Sequence, residues 1–239
     1  PPQLSPRSVR EEGAYNVSRL ARSWHTVPLA HPDAPALDIL ADILGGGRSS
    51  RLNRNLLERR RLVDAISANS YTPKEAGVFV ITAVFQPDRE EEVRKALNEE
   101  WHSWLEQPFT PAEIAKARRK MMADTLDALE TASGQADTLA SGQFYASDFQ
   151  YAARYLERLE AVTPDTLREV ILRYLRPENQ TEALLVPAGS KAQTTPPPAP
   201  RPASVERIQL SNGIQLLVRT DPRLPFVSVC AALCGGVLE

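Results

Sequence analysis

Apolar positions recur along this chain with two different periods, and the period changes mark its elements. From Tyr15 to Val27 the alternation favours a strand. Asp33-Ala34-Pro35 then opens a helix in which Leu37, Leu40, Ala41 and Leu44 fall at helical spacing. The run Gly45-Gly46-Gly47 closes that helix, because glycine takes left-handed conformations at little cost. Ser49 or Ser50 is placed to cap a second helix running to about Arg60. Leu62–Tyr71 and Gly77–Gln86 read as two strands joined by a connection short enough for an antiparallel hairpin. Both faces of the second are mostly apolar, which predicts an interior position in its sheet.

Helices dominate the next hundred residues. Asp88–Glu106 is amphipathic, with Val93, Leu97, Trp101, Trp104 and Leu105 inward. Thr110-Pro111-Ala112-Glu113 carries three helix-start signals: a capping threonine, a first-turn proline and the glutamate of a capping box. Its helix should reach about Thr131, followed by helical stretches to about Tyr145 and over Phe149–Glu160. Thr163-Pro164-Asp165 opens the last, with Leu167, Val170, Ile171, Tyr174 and Leu175 as its stripe, and Glu182–Val186 returns as a strand. The expected class is α+β: a mainly antiparallel sheet covered on one face by helices.

Composition then shifts. Residues 188–204 are rich in proline, threonine and alanine and read as a linker. After it, Arg207–Leu210 and Ile214–Val218 flank Asn212-Gly213 as a hairpin, and Phe226–Leu233 is one more strand. Residues 205–239 are too few for a domain of this type, so the division expected is a linker at 1–14, a domain at 15–187, a linker at 188–204 and the first strands of a following domain. The tail's unpaired strands would add to a sheet edge of this molecule or of another, giving a dimer.

A net charge of −2 gives no electrostatic footprint for nucleic acid, and no apolar run spans a bilayer. Cys230 and Cys234, if on a strand, lie about 13 Å apart, too far for a disulfide. The glycine run lacks the preceding strand and the Gly-Lys-Ser/Thr ending of a phosphate loop. Arg48, Arg51, Arg54, Arg59, Arg60 and Arg61 form a basic cluster. Two readings of it stay open: contact with an acidic neighbouring domain or a peptide carboxylate, or a solvated helix end, the latter favoured.

The order of Ile43-Leu44-Gly45-Gly46-Gly47-Arg48-Ser49-Ser50-Arg51-Leu52, Leu56-Leu57-Glu58, Leu62-Val63-Asp64-Ala65-Ile66-Ser67-Ala68, Thr110-Pro111-Ala112-Glu113-Ile114 and Val162-Thr163-Pro164-Asp165-Thr166-Leu167 resembles the second domain of a half of a pitrilysin/insulinase-type zinc metallopeptidase, the group that includes mitochondrial processing peptidases. Leu210-Ser211-Asn212-Gly213-Ile214 and the strand after it resemble the start of the next half. The resemblance implies a bacterial protease that hydrolyses peptide bonds with zinc-activated water at an H-x-x-E-H helix. The histidines here, His25, His31 and His102, form no such pattern, so no catalytic residue, zinc or other cofactor is expected in this chain, and the zinc is expected upstream in the parent. The family's substrate-binding Arg/Tyr pair maps to Leu57 and Asp64 and is lost. The resemblance therefore implies a non-catalytic domain that helps wall a substrate chamber. Its partners would be the other domains of its polypeptide and, for the parent, a peptide substrate. The alternative is a structural or binding domain of an inactive homologue. The compartment, bacterial periplasm or cytoplasm, is not written in these residues.

Overall fold

The structure is a computed structural model that describes residues 3, 5–189, 206–212 and 214–218. It divides into two units, residues 1–192 and 193–239. In the first, strands β1 (Arg7–Gly13), β2 (Ser18–Thr26), β3 (Ala65–Tyr71), β4 (Gly77–Phe85) and β5 (Gln180–Pro187) form one sheet in the order β1-β5-β2-β4-β3. The pairs β5–β2, β2–β4 and β4–β3 are antiparallel, as expected, and β4 is interior.

One boundary is corrected. The segment 1–14, read as a linker, holds β1, which pairs parallel to β5 from Arg7 opposite Thr181 to Gly13 opposite Pro187. Arg-Ser-Val-Arg-Glu-Glu carries no apolar alternation because this edge strand is exposed on nearly every residue. Its charges suit a sheet edge, where they discourage pairing with another chain.

The helices are α1 (Ala34–Gly45), α2 (Glu90–Glu106), α3 (Pro111–Ala128), α4 (Ala132–Ala146), α5 (Tyr151–Glu160) and α6 (Pro164–Tyr174). Alternation along the strands sends Leu20, Trp24, Ile66, Ala68, Phe79, Ile81, Phe85, Leu184 and Val186 to the helical side, where they join α1's Leu37, Leu40 and Leu44 in one core. α1 is buried on almost every residue, which makes it the central helix of that layer.

The helix expected over Ser50–Arg60 is wider than an α-helix: Asn53–Arg59 is π-helical, and the Arg60 N–H donates to the Asn55 carbonyl. No serine caps it. Thr110 closes the predicted capping box on α3 with Glu113, and Thr163 forms an equivalent one with Thr166 on α6. In the second unit β6 (Glu206–Gln209) and β7 (Gln215–Val218) pair antiparallel, the expected hairpin. The strand expected at 226–233 and both cysteines lie outside the described residues.

Candidate substrate-facing surfaces

The glycine run has a steric cause at two positions. A side chain on Gly45 would meet the backbone of Ala68 on β3, so α1's last turn can lie this close to the strand only with glycine there. Gly47 has φ +137°, a backbone conformation that side-chain-bearing residues rarely adopt. Buried Asn53 fixes the exit of the loop by donating to Ser50 Oγ at 2.9 Å and to the Ile66 carbonyl at 3.2 Å. Lysines of α3 hold the outer side: Lys116 donates to Ser49 and Lys120 to Asp42.

The arginine cluster separates on this frame. Arg51 makes a bidentate pair with Glu113, Nε to Oε1 at 2.8 Å and Nη2 to Oε2 at 2.9 Å, and its guanidinium lies 4.3 Å over the Phe109 ring. The Arg51 hydrogen bonds, with help from Thr110, hold the Glu113 carboxyl at a pKa of about 2. Arg60 pairs with Glu99 at 2.6 Å, and Arg59 donates to Asn55 at 3.3 Å. Arg48 and Arg54 extend into solvent. The run therefore does not act as one patch. Of the two positions to which the resemblance maps a substrate pair, Leu57 packs half-buried against the core, and Asp64 is exposed and accepts from Gln86 at 3.0 Å.

The sheet face turned away from the helices is a second surface. Ala183, Ala21, Thr82 and Ser67 form one cross-strand row, Thr181, Ser23, Val80 and Asn69 the next, and Leu185, Arg19, Val84 and Ala65 a third. Most are short and uncharged, and most are only half-buried. Ser67 and Thr82 share a hydrogen bond of 2.9 Å across strands. This face was not singled out by sequence; its signal was the mixed valine and threonine series Val78, Val80, Thr82, Val84 on β4, read there as evidence of an interior strand.

Beneath it, the helical face of the sheet carries a buried ion cluster. Glu182 of β5 accepts from Arg22 of β2 at 3.2 Å and 2.8 Å, and also from Arg94 of α2; Arg22 reaches Asn98 at 2.8 Å. Burial pushes the Glu182 carboxyl up, but the two guanidinium groups outweigh it and hold the pKa below the usual value. The cluster is fully paired, so it anchors α2 and leaves no free charge for a ligand.

The histidines stay apart. His25 lies exposed on β2, His31 accepts from the Asp33 backbone N–H, and His102 stacks edge-on against Trp101. Among the described residues no three His, Cys, Asp or Glu side chains converge to hold a metal ion.

The model of the peptidase M16 inactive domain matches residues 1–121. The chain belongs to that family. An uncharacterised zinc protease of Streptomyces coelicolor is 29% identical to this M16 domain over 178 residues, which is 71% of the chain and 38% of that protein. The zinc protease PqqE of Helicobacter pylori is 26% identical over 183 residues, 75% of the chain and 40% of its own length. The M16 domain thus spans about two fifths of the curated relatives it matches. A crystal structure of a protease from Helicobacter pylori shares the fold with a TM-score of 0.70 at 24% identity, covering 78% of this chain and 46% of that one.

Proposed function

We propose that this inactive M16 domain is part of a longer zinc protease and forms one wall of the space in which that enzyme holds peptide substrates. The observation carrying the reading is the open sheet face across β5, β2, β4 and β3: mostly half-buried rows of Ala, Ser, Thr and Val in which Arg19 is the one charge, with Arg7 and Glu11 added only at the β1 edge. Such a face offers an extended peptide apolar contact and scattered hydroxyl partners without selecting one sequence strongly. Membership of the family and the zinc-protease names of its relatives support the rest. Zinc and the general base belong, in this reading, to the remainder of the polypeptide, because the described residues bring together no donor set that fits the metal.

The same reading divides the chain into this domain, from β1 to Pro187, a linker at 188–204 and the opening strands of a following domain. Exposed Arg48 and Arg54 are then contacts for substrate or for a neighbouring domain, and the tail strands would add to a sheet edge of this molecule or of a second copy.

A photo-crosslinking residue placed at Val80 in the full-length protein tests the chamber wall. Crosslinking to a bound peptide is expected at Val80 and not at exposed Glu91 on α2. Equal crosslinking at the two positions would remove the basis of the proposal. The 239-residue chain alone should hydrolyse no fluorogenic peptide, and EDTA-sensitive turnover by it would overturn its non-catalytic place.

A further inference from the structure

α4 is covered along one narrow side only, that of Gly134, Thr138 and Gly142. Of its residues from Ala132 to Ala146 only Gly142 is buried, and no apolar stripe runs along it. Leu139 and Phe144 are at least half exposed, as are Leu126 on α3 and Phe149 in the turn before α5. Between α3, α4 and α5 a cleft of about 400 Å³ remains, with Leu29, Ala128 and Tyr151 on its walls, so the helix is not closely packed on its neighbours. A short helix with few tertiary contacts is marginal in water, and one without an amphipathic stripe or a set of side-chain pairs along its own surface is stabilised by bridging to another body.

Charge describes what would cover it. From Met121 to Ala146 the charged residues are Asp124, Asp127, Glu130 and Asp137, all exposed, and no Lys or Arg occurs. An uncharged apolar centre with a charged rim is the usual build of an interface. The rim is acidic on balance: Lys74 lies 5.6 Å over the Phe144 ring and Arg154 is paired with Asp148 at 2.8 Å, while the four carboxylates from Asp124 to Asp137 outnumber them, so a second copy of the same surface would place like charges together. An apolar face rimmed by lysine or arginine fits instead. Relatives are about two and a half times the length of their match to this chain, so most of such a polypeptide lies outside it.

We infer that the exposed surface of α4, with the end of α3 and the turn into α5, docks another domain of the same polypeptide through an apolar patch with a basic rim. The inference rests on the reading of this chain as part of a longer protease. It concerns the helical layer and not the sheet face assigned to substrate.

Amide hydrogen exchange measured on the 239-residue chain and on the full-length protein tests it. Residues 132–146 are expected to exchange at least tenfold more slowly in the full-length protein. Leu139→Glu with Phe144→Glu should abolish that protection there while leaving the unfolding midpoint of the isolated chain unchanged. Asp124→Lys with Asp127→Lys should weaken the protection, most at low salt. Exchange within threefold in the two proteins, or protection that survives the double glutamate variant, overturns the inference. Peptidase assays on the same full-length sample judge the protease reading separately: loss of that reading leaves the exchange result standing, and normal peptide hydrolysis with unprotected α4 sinks the docking surface alone.

Discussion

α2 and α4 are helices of similar length, 17 and 15 residues, yet the molecule treats them in opposite ways. α2 buries Val93, Ala96, Leu97, Glu100 and Trp104, places Glu90, Glu91 and Glu92 at its positive amino end, and is tied to the sheet through Arg94 and Glu182. α4 buries one glycine and carries one charged residue, Asp137. The stability of α2 therefore comes from this domain's core. The helical state of α4 rests on its Thr131 cap and on contacts along one narrow side. A helix held by its own core can be understood from this chain; a helix without one points outward for its reason to exist.

The largest test of that difference is truncation of paired apolar groups. Trp104→Ala should cost about 3–5 kcal/mol in urea unfolding of the chain, because a fully buried indole leaves a cavity. Leu139→Ala should change stability by no more than about 0.5 kcal/mol, as for an ordinary surface site. A loss at Leu139 approaching that at Trp104 would mean that α4 does have a core in this chain.

Arg22→Ala should come next, at about 3 kcal/mol, since it leaves the Glu182 carboxylate buried with Arg94 as its remaining cationic partner. Urea unfolding at pH 7 measures it. A change below about 1 kcal/mol, the worth of a surface pair, would show that the cluster does not anchor α2.

How much of this contrast could be read from the residues depends on whether an element carries its own cause. α2, α3 and α6 were legible because stripe and cap sit within one stretch: Thr110 with Glu113, Val93 with Leu97 and Trp104. α4 was legible as a helical stretch ending near Tyr145, but its lack of an apolar face was not weighed. β1 was invisible because its partner lies some 170 positions away in sequence and its own side chains face water. The glycine run was read correctly as a helix end, but its tighter requirement, the approach of Gly45 to Ala68, is a tertiary fact. Adjacency did not resolve the basic cluster: Arg51 and Arg60 each find an acid on a different helix, Arg59 reaches Asn55, and Arg48, Arg54 and Arg61 lie exposed. No spacing rule predicts which arginine meets which acid.

A smaller effect belongs to the loop that leaves α2. Arg51→Ala removes the bidentate pair with Glu113 and the contact over Phe109, and should cost about 1–2 kcal/mol at pH 7. The Glu113 carboxyl is depressed from 4.5 to about 2, so its contribution is present above pH 4.5 and is lost as pH falls toward 2. In Arg51→Ala that part of the acid-side slope should shrink. An unchanged acid limb in the variant would show that the pair contributes nothing to folding.

The smallest effect probes the one imperfection in α2's buried face. Glu100 lies there with Oε1 accepting from Asn55 at 2.9 Å, while Oε2 and the nearby Trp104 indole N–H are buried without hydrogen bonds among the described residues. Burial pushes the Glu100 carboxyl above its usual value, against the pull of the Asn55 amide and of the Trp104 indole N–H, which lies near the carboxyl without closing a hydrogen bond. The sign is therefore opposite to that of Glu113. A raised folded-state pKa gives a contribution fully present below the unfolded value of 4.5 and lost as pH rises through the higher folded value. Glu100→Gln, neutral at every pH, keeps an acceptor for Asn55 and avoids that loss. It should raise the chain's melting temperature at pH 8 by a degree or two, the equivalent of less than about 1 kcal/mol. The advantage should vanish below pH 4.5, where wild-type Glu100 is itself neutral. A variant less stable than wild type at pH 8 would mean that the ionised carboxylate is held favourably between the π-helical segment and α2, and that α2's covered face has no weak point.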